Sequence, residues 1–263
     1  MNPKYIDIHS HLNLNQFDSD REEVIHKLID NNIWTITVGT DYKSSLLAVE
    51  LANKHDNLFA CIGLHPSDVL IEEFNYSDML FLSQNKKVIA IGECGLDYFR
   101  DDDEDFKIKQ KEIFKLHIKL ALKTNKPLMI HARPSKGTMD AYIDVLDILE
   151  SYKNDNSKLN ANFHFFAGDL NIAKRAIRLS FTLSFDGPIT FSHDYDEVIK
   201  ETPIESIMAE TDSPFAAPVP YRGKRCEPYM VKEVIKRIAE LKGLTEEETN
   251  KIILNNIKRV FGI

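Results

Sequence analysis

Imidazoles and carboxylates close a series of short apolar runs in this chain. His9-Ser10-His11 follows the run Tyr5-Ile6-Asp7-Ile8. Residues two apart in an extended strand face the same way, so both imidazoles can reach one point. Glu93 closes Val88-Ile89-Ala90-Ile91-Gly92, His131 closes Leu128-Met129-Ile130, and His164 follows Asn162-Phe163. Asp212 stands just beyond Ile207-Met208-Ala209, in Glu210-Thr211-Asp212. A single such residue at a strand end is ordinarily a hydrogen-bonded structural group or a helix cap. Several strands of one sheet ending this way call for another cause, because burying each group unpartnered is costly. A cation at their convergence removes that cost.

Four imidazoles and two carboxylates, without thiolate, suit zinc, manganese or iron, and with more water magnesium. Six donors exceed what one tetrahedral ion takes. The expected cofactor is therefore two divalent metal ions bridged by a carboxylate, with Glu93, from a mid-sheet strand, as the bridge. Such a pair polarises a phosphoryl or carbonyl oxygen and supplies a nucleophile from water near neutral pH. The positive charge in excess of the two carboxylates favours an anionic substrate.

Bringing positions as far apart as 9 and 212 to one point requires a fold whose strand ends converge. Strand patterns fall at 5–8, 34–38, 59–63, 88–92, 128–130, 162–165, 182–185 and 207–209, with helical periodicity after each. Eight strands alternating with helices in 263 residues predict an α/β fold, a (β/α)8 TIM barrel forming a single domain over 1–263. An open, doubly wound sheet is the alternative. The clearest helix spans 107–123, with Ile108, Ile113, Phe114, Leu120 and Ala121 at helical spacing. Two more helical stretches, 228–242 and 246–260, follow the last strand, and Thr245 with Glu248 reads as a capping box.

Composition sets further bounds. With 43% apolar residues the chain can bury a sizeable core. It has no apolar run of membrane-spanning length and no signal-like start, so a soluble, cytoplasmic protein is expected. Cys61, Cys94 and Cys226 are too far apart for a zinc knuckle and read as reduced thiols. By strand alternation Cys94 points away from Glu93. The net charge of −8 argues against a broad basic surface for nucleic acid, so an anionic substrate must be held by local charge. Arg133 and the loop Arg222-Gly223-Lys224-Arg225 are the candidate phosphate contacts. The acidic run Asp101-Asp102-Asp103-Glu104-Asp105 reads as a solvated helix start. His117 falls on a packed helix face, and His193 in a loop after the seventh strand.

These residues lie in motifs that resemble the TatD-type metal-dependent deoxyribonucleases, within the amidohydrolase-like barrels. The match runs in order from Asp7-Ile8-His9-Ser10-His11-Leu12 through Val38-Gly39-Thr40-Asp41 and Gly63-Leu64-His65-Pro66. It continues with Ile91-Gly92-Glu93-Cys94-Gly95-Leu96-Asp97-Tyr98, Ile130-His131-Ala132-Arg133, Phe185-Asp186-Gly187-Pro188 and Glu210-Thr211-Asp212-Ser213-Pro214, and ends in the basic loop. The resemblance implies a barrel, divalent metals, and hydrolysis of DNA from a 3′ end, on single-stranded or frayed substrate. It implies metal-ligand roles for His9, His11, Glu93, His131, His164 and Asp212, and a phosphate contact at His65. Asp212 is then expected to act also as general base, with Glu93 as the second catalytic carboxylate. Three positions depart from the family pattern: Ser67 replaces a frequent second His, Phe165 stands where Cys is usual, and Cys226 replaces an Asn. Ser67 and Cys226 bear on substrate preference, and Phe165 is expected to alter packing. The competing readings are a metal-dependent hydrolase of a small ester, cyclic amide or phosphoester, and a non-catalytic barrel scaffold.

Overall fold

The computed structural model describes residues 2–100 and 103–263. Its strands are β1 (Tyr5–Ser10), β2 (Ile33–Val38), β3 (Leu58–Ile62), β4 (Val88–Asp97), β5 (Leu128–Arg133), β6 (Ala161–Phe163), β7 (Thr182–Phe185) and β8 (Ile207–Ala209). Each pairs in parallel with its neighbour in chain order. The seam is drawn together by a bridge between Ser10 and Ser213. There the Asp212 N–H donates to the His9 carbonyl at 2.9 Å, and the His11 N–H to the Ser213 carbonyl at 2.7 Å. The result is a nearly closed (β/α)8 barrel. A doubly wound sheet would reverse its strand order at a switch point, and this order never reverses.

The strands are apolar along most of their length because both faces are covered. Ile6, Ile8, Ile36, Val38, Ile62, Val88 and Ile91 are all buried in one continuous core. Outside lie α1 (Arg21–Asp30), α2 (Tyr42–Lys54), α3 (Tyr76–Ser83), α4 (Glu104–Thr124), α5 (Asp140–Asp155), α6 (Leu170–Arg178), α7 (Asp196–Glu201), α8 (Val231–Lys242) and α9 (Glu246–Phe261). Asp103 starts α4 by accepting the Phe106 N–H at 3.1 Å. Asp101 and Asp102 of the acidic run lie outside the described residues. The buried face of α4 carries Phe106, Gln110, Ile113, Phe114, His117 and Ala121. Ile108, expected on that face, is 51% exposed instead, because Phe106 and Gln110 take the inward positions around it. The Thr245–Glu248 capping box is present at α9. The stretch expected as a helix from 228 divides into a 3-10 turn, Pro228–Met230, and α8. Among the described residues no helix is long and apolar enough to cross a membrane. All three cysteines are buried and unpaired.

Two strands run further than their apolar runs. β4 continues through Glu93 to Asp97, and β5 through His131 to Arg133. Polar residues end an apolar pattern but need not end a ladder. Here Gly95 pairs with His131 and Asp97 with Arg133, after a register shift between Ile91 and Cys94. Glu93 and His131 are thus held by sheet backbone rather than by loops.

Candidate metal centre

The barrel seam builds the first donor group. The backbone bonds between β1 and the segment after β8 bring His9, His11 and Asp212 together. The Nε2 atoms of His9 and His11 are 3.2 Å apart. Asp212 Oδ1 lies 3.7 Å from His9 Nε2 and 3.3 Å from His11 Nε2. Glu93 Oε2 reaches in from mid-barrel, 3.5 and 3.7 Å from the same two nitrogens. Metal bonds of about 2.1 Å place tetrahedral donors about 3.4 Å apart. Four donors with that spacing therefore fit a cation at their centre.

The other oxygen of Glu93 belongs to a second group. Its Oε1 lies 3.0 Å from His131 Nδ1 and 2.8 Å from His164 Nε2, and the two nitrogens are 3.4 Å apart. Three protein donors with an open side are the pattern of a catalytic rather than a structural metal site.

Hydrogen bonds behind the donors set which lone pairs face inward. His11 Nδ1 donates to the Val38 carbonyl at 2.9 Å, which leaves Nε2 as the donor atom. His131 Nε2 faces Asp97 Oδ2 at 3.1 Å, which leaves Nδ1 for the Glu93 side. Asp7 accepts the His9 N–H at 3.2 Å, the Thr211 N–H at 2.9 Å and the Thr211 hydroxyl at 2.6 Å. One buried carboxylate so ties the His9 strand to the Asp212 segment. Glu210 accepts the Ser184 hydroxyl at 2.8 Å and the Phe165 N–H, and faces His164 Nδ1 at 3.6 Å. Such partners orient metal ligands and raise their basicity.

Electrostatics follow from this crowding. Burial disfavours the Glu93 carboxylate, yet His164, His65 and His131 around it hold its pKa well below the usual range. Burial equally opposes a charged His164, but Glu93 and Glu210 outweigh it and push its pKa well up. Asp212 is held below its ordinary value against burial by His11 and His9. His9 is lowered, by burial and by the neighbouring His164 ring, stacked at 3.9 Å. Protons and a cation compete for the same lone pairs here, so ligand binding of a metal must release protons.

A family model described as TatD related DNase matches residues 6–262. This chain belongs to the TatD-related DNase family. The TatD-family chain is 40% identical over 261 residues to YabD of Bacillus subtilis, described as an uncharacterized metal-dependent hydrolase, covering 98% of both chains. It is 31% identical to MJ1582 of Methanocaldococcus jannaschii, described in the same words, covering 98% of this chain and 97% of that one. The crystal structure of YJJV, a TatD homologue from Escherichia coli, superposes with a TM-score of 0.88 at 24% identity, covering 100% of both chains. The class name of the curated relatives matches the buried donor set of this TatD-family barrel.

The remaining expected residues fall in different places. His65 is buried at the mouth, its Nε2 3.3 Å from Glu93 Oε1. Its Nδ1 accepts the Ser67 N–H at 3.1 Å, so the neutral ring carries its proton on Nε2 and offers the site a donor. Arg133 lines a cleft of about 650 Å³ over the donors, with His11, His65, Phe165 and Phe215. Arg222 lies over the Phe191 ring at 3.5 Å and, like exposed Lys224, is outside that lining. Arg225 is a correction to the expectation of a free phosphate contact. Its fork is spent on Asp20 at 2.8 and 2.6 Å and on the Gln16 carbonyl at 2.8 Å. That pairing anchors the basic loop to the segment ahead of α1. His193 is 84% exposed and pairs with Asp196. Cys94 turns into the core as expected, and Cys226 packs with Ala217 and Met230. Phe165 is a second correction: it lines the cleft, whereas Phe166 fills the core.

Asp97, Asp7 and Glu210 were missed as positioning groups. Asp7 stands two residues before His9 on β1, a same-face spacing that strand alternation could have flagged, whereas Glu210 lies beyond the end of β8, where that periodicity gives no signal. A second hollow of about 460 Å³, lined by Lys126, Lys158 and Arg259, lies at the opposite end of the barrel and contains none of the donors.

Proposed function

We propose that this TatD-family barrel is a deoxyribonuclease that hydrolyses DNA phosphodiesters from the 3′ ends of single-stranded or frayed strands, using two divalent ions. The observation that carries the reading is the division of Glu93, one carboxylate oxygen facing each donor group. His9, His11, Glu93 and Asp212 would hold one ion, and Glu93, His131 and His164 the other. With no thiolate in the set, magnesium, manganese and zinc are the candidate ions. Bound there, the ions supply Lewis-acid polarisation and a nucleophilic water at neutral pH.

The residues supply the rest. Asp212, held deprotonated by its imidazole neighbours, accepts the proton of the attacking water. Its backbone lies in the left-handed region at φ 52, a strained position for a non-glycine residue that aims the carboxylate back at the seam. His65 donates its Nε2–H to a non-bridging phosphoryl oxygen. Arg133 at the cleft wall takes a flanking phosphate. Cytoplasmic location accords with three unpaired cysteines.

The net charge of −8 favours a second reading, a small ester or cyclic amide as substrate. Metal-loaded protein incubated with a labelled single-stranded oligonucleotide and, in parallel, with a panel of small esters and cyclic amides separates the two. Stepwise shortening from the 3′ end, absent in Glu93→Ala, is expected. Turnover of the panel alone would overturn the nuclease reading.

A further inference from the structure

Two aromatic rings stand in the cleft wall, one beside each donor group. Phe215 packs edge-on to His11, ring centres 6.3 Å apart. Phe165 packs edge-on to His164 at 6.4 Å. Neither ring is placed as core is placed. Phe215 is 47% exposed, and its N–H is held by the Asp212 carbonyl at 2.9 Å. Phe165 is half-buried and sits at φ 45, a left-handed conformation that costs a bulky residue energy. The Glu210 carboxylate holds it there through its N–H. The fold thus accepts both backbone strain and exposed apolar surface to keep a ring over the donors. Arginine stands in the same lining: Arg133, whose guanidinium lies over the Phe99 ring at 3.9 Å, and Arg100, 3.4 Å from Asp97.

Aromatic rings and arginines lining one cleft suit unpaired nucleotides. Every base has a face to stack, and stacking needs no particular sequence. A paired base in a duplex has both faces covered and cannot offer one. We propose that Phe165 and Phe215 are stacking platforms for the two unpaired bases that flank the scissile phosphate, with Arg133, backed by Phe99, on the neighbouring phosphate. This rests on the nuclease reading above and names its substrate as an unpaired strand end.

The test crosses protein and substrate changes. Wild type, Phe165→Ala, Phe215→Ala, Phe165→Leu and Phe215→Trp are assayed on a single-stranded oligonucleotide, intact or with a tetrahydrofuran abasic residue at the terminal or penultimate position. Each Ala variant should raise KM on the intact strand roughly 5- to 150-fold, the worth of one stacked base. On the strand whose base is missing at the matching position it should change KM little. Phe215→Trp should keep affinity, and Phe165→Leu, which keeps bulk but not the flat ring, should lose it. Equal losses on intact and abasic strands, or none on either, would overturn the proposal while leaving the nuclease reading in place. Wild type that shortens no oligonucleotide but turns over small esters would instead overturn the nuclease reading, and this proposal with it.

Discussion

Nε2 of His131 lies 3.1 Å from Oδ2 of Asp97, while Nδ1 of the same ring lies 3.0 Å from Glu93. Asp97 is fully buried, and its other oxygen accepts the Phe99 and Arg100 N–H groups at 3.1 and 3.3 Å. The carboxylate is therefore fixed on both sides and dictates which nitrogen of His131 faces the donors. Asp97→Asn should lower metal affinity by about 10- to 100-fold without unfolding the barrel, because it weakens the orientation and basicity of one ligand. Competition against a chromophoric chelator measures this, and unchanged affinity would remove Asp97 from the site.

Asp212→Asn tests the proton acceptor. The amide keeps the size and the seam contacts of the backbone but cannot take a proton. Turnover should fall by about 100-fold or more, with manganese saturating and the thermal midpoint within a few degrees of wild type. Near-normal turnover under those conditions would reassign the base.

Arg133 and Arg225 should separate in salt dependence. Arg133 lines the cleft and pairs with no carboxylate among the described residues, whereas Asp20 already neutralises Arg225. Arg133→Ala should raise KM for DNA and reduce the slope of log KM against log salt by about one phosphate's worth. Arg225→Ala should leave that slope unchanged and act on stability of the loop, by about 1 kcal/mol for a partly exposed pair. The reverse pattern in a salt titration would restore Arg225 as a phosphate contact.

His117 predicts a pH dependence of stability. The ring is fully buried in α4, donates from Nδ1 to the Ile113 carbonyl at 2.9 Å and accepts the Leu64 N–H on Nε2 at 3.0 Å. Burial lowers its pKa to about 4. Between that value and the ordinary one the unfolded chain binds a proton that the folded chain refuses. The contribution is therefore complete above roughly pH 6.5 and falls as the pH drops toward 4, by up to about 3 kcal/mol. In chelator-treated protein, urea unfolding should show the advantage of wild type over His117→Gln shrinking across that window. A constant difference would mean that the folded chain binds the proton as readily as the unfolded one, so that burial does not depress this ring.

Legibility differed from residue to residue. The apolar runs placed every strand of the barrel, because in a parallel sheet covered on both faces the strand is the run. They misplaced the ends of β4 and β5, since Glu93 and His131 interrupt hydrophobicity without interrupting the ladder. Ile108 was assigned to a buried face by spacing alone, although Phe106 and Gln110 take the inward positions around it. Arg225 read as a cation available to substrate because its partner, Asp20, stands 205 positions away in the chain.

By itself the sequence determined the architecture and the chemical character of the centre. Both follow from local pattern: apolar runs alternating with helices, and hard nitrogen and oxygen donors standing at the ends of those runs. Only the tertiary structure decided how the donors divide and what orients them. Glu93 faces two groups because β4 lies in mid-barrel while His9, His11 and Asp212 meet across the seam. Asp97, Asp7 and Glu210 act through contacts between strands, and strand pairing across the barrel is a long-range property that no single segment contains. The cleft position of Phe165 is of the same kind: its φ of 45 is held by Glu210, 45 positions further along the chain and two strands away in the barrel.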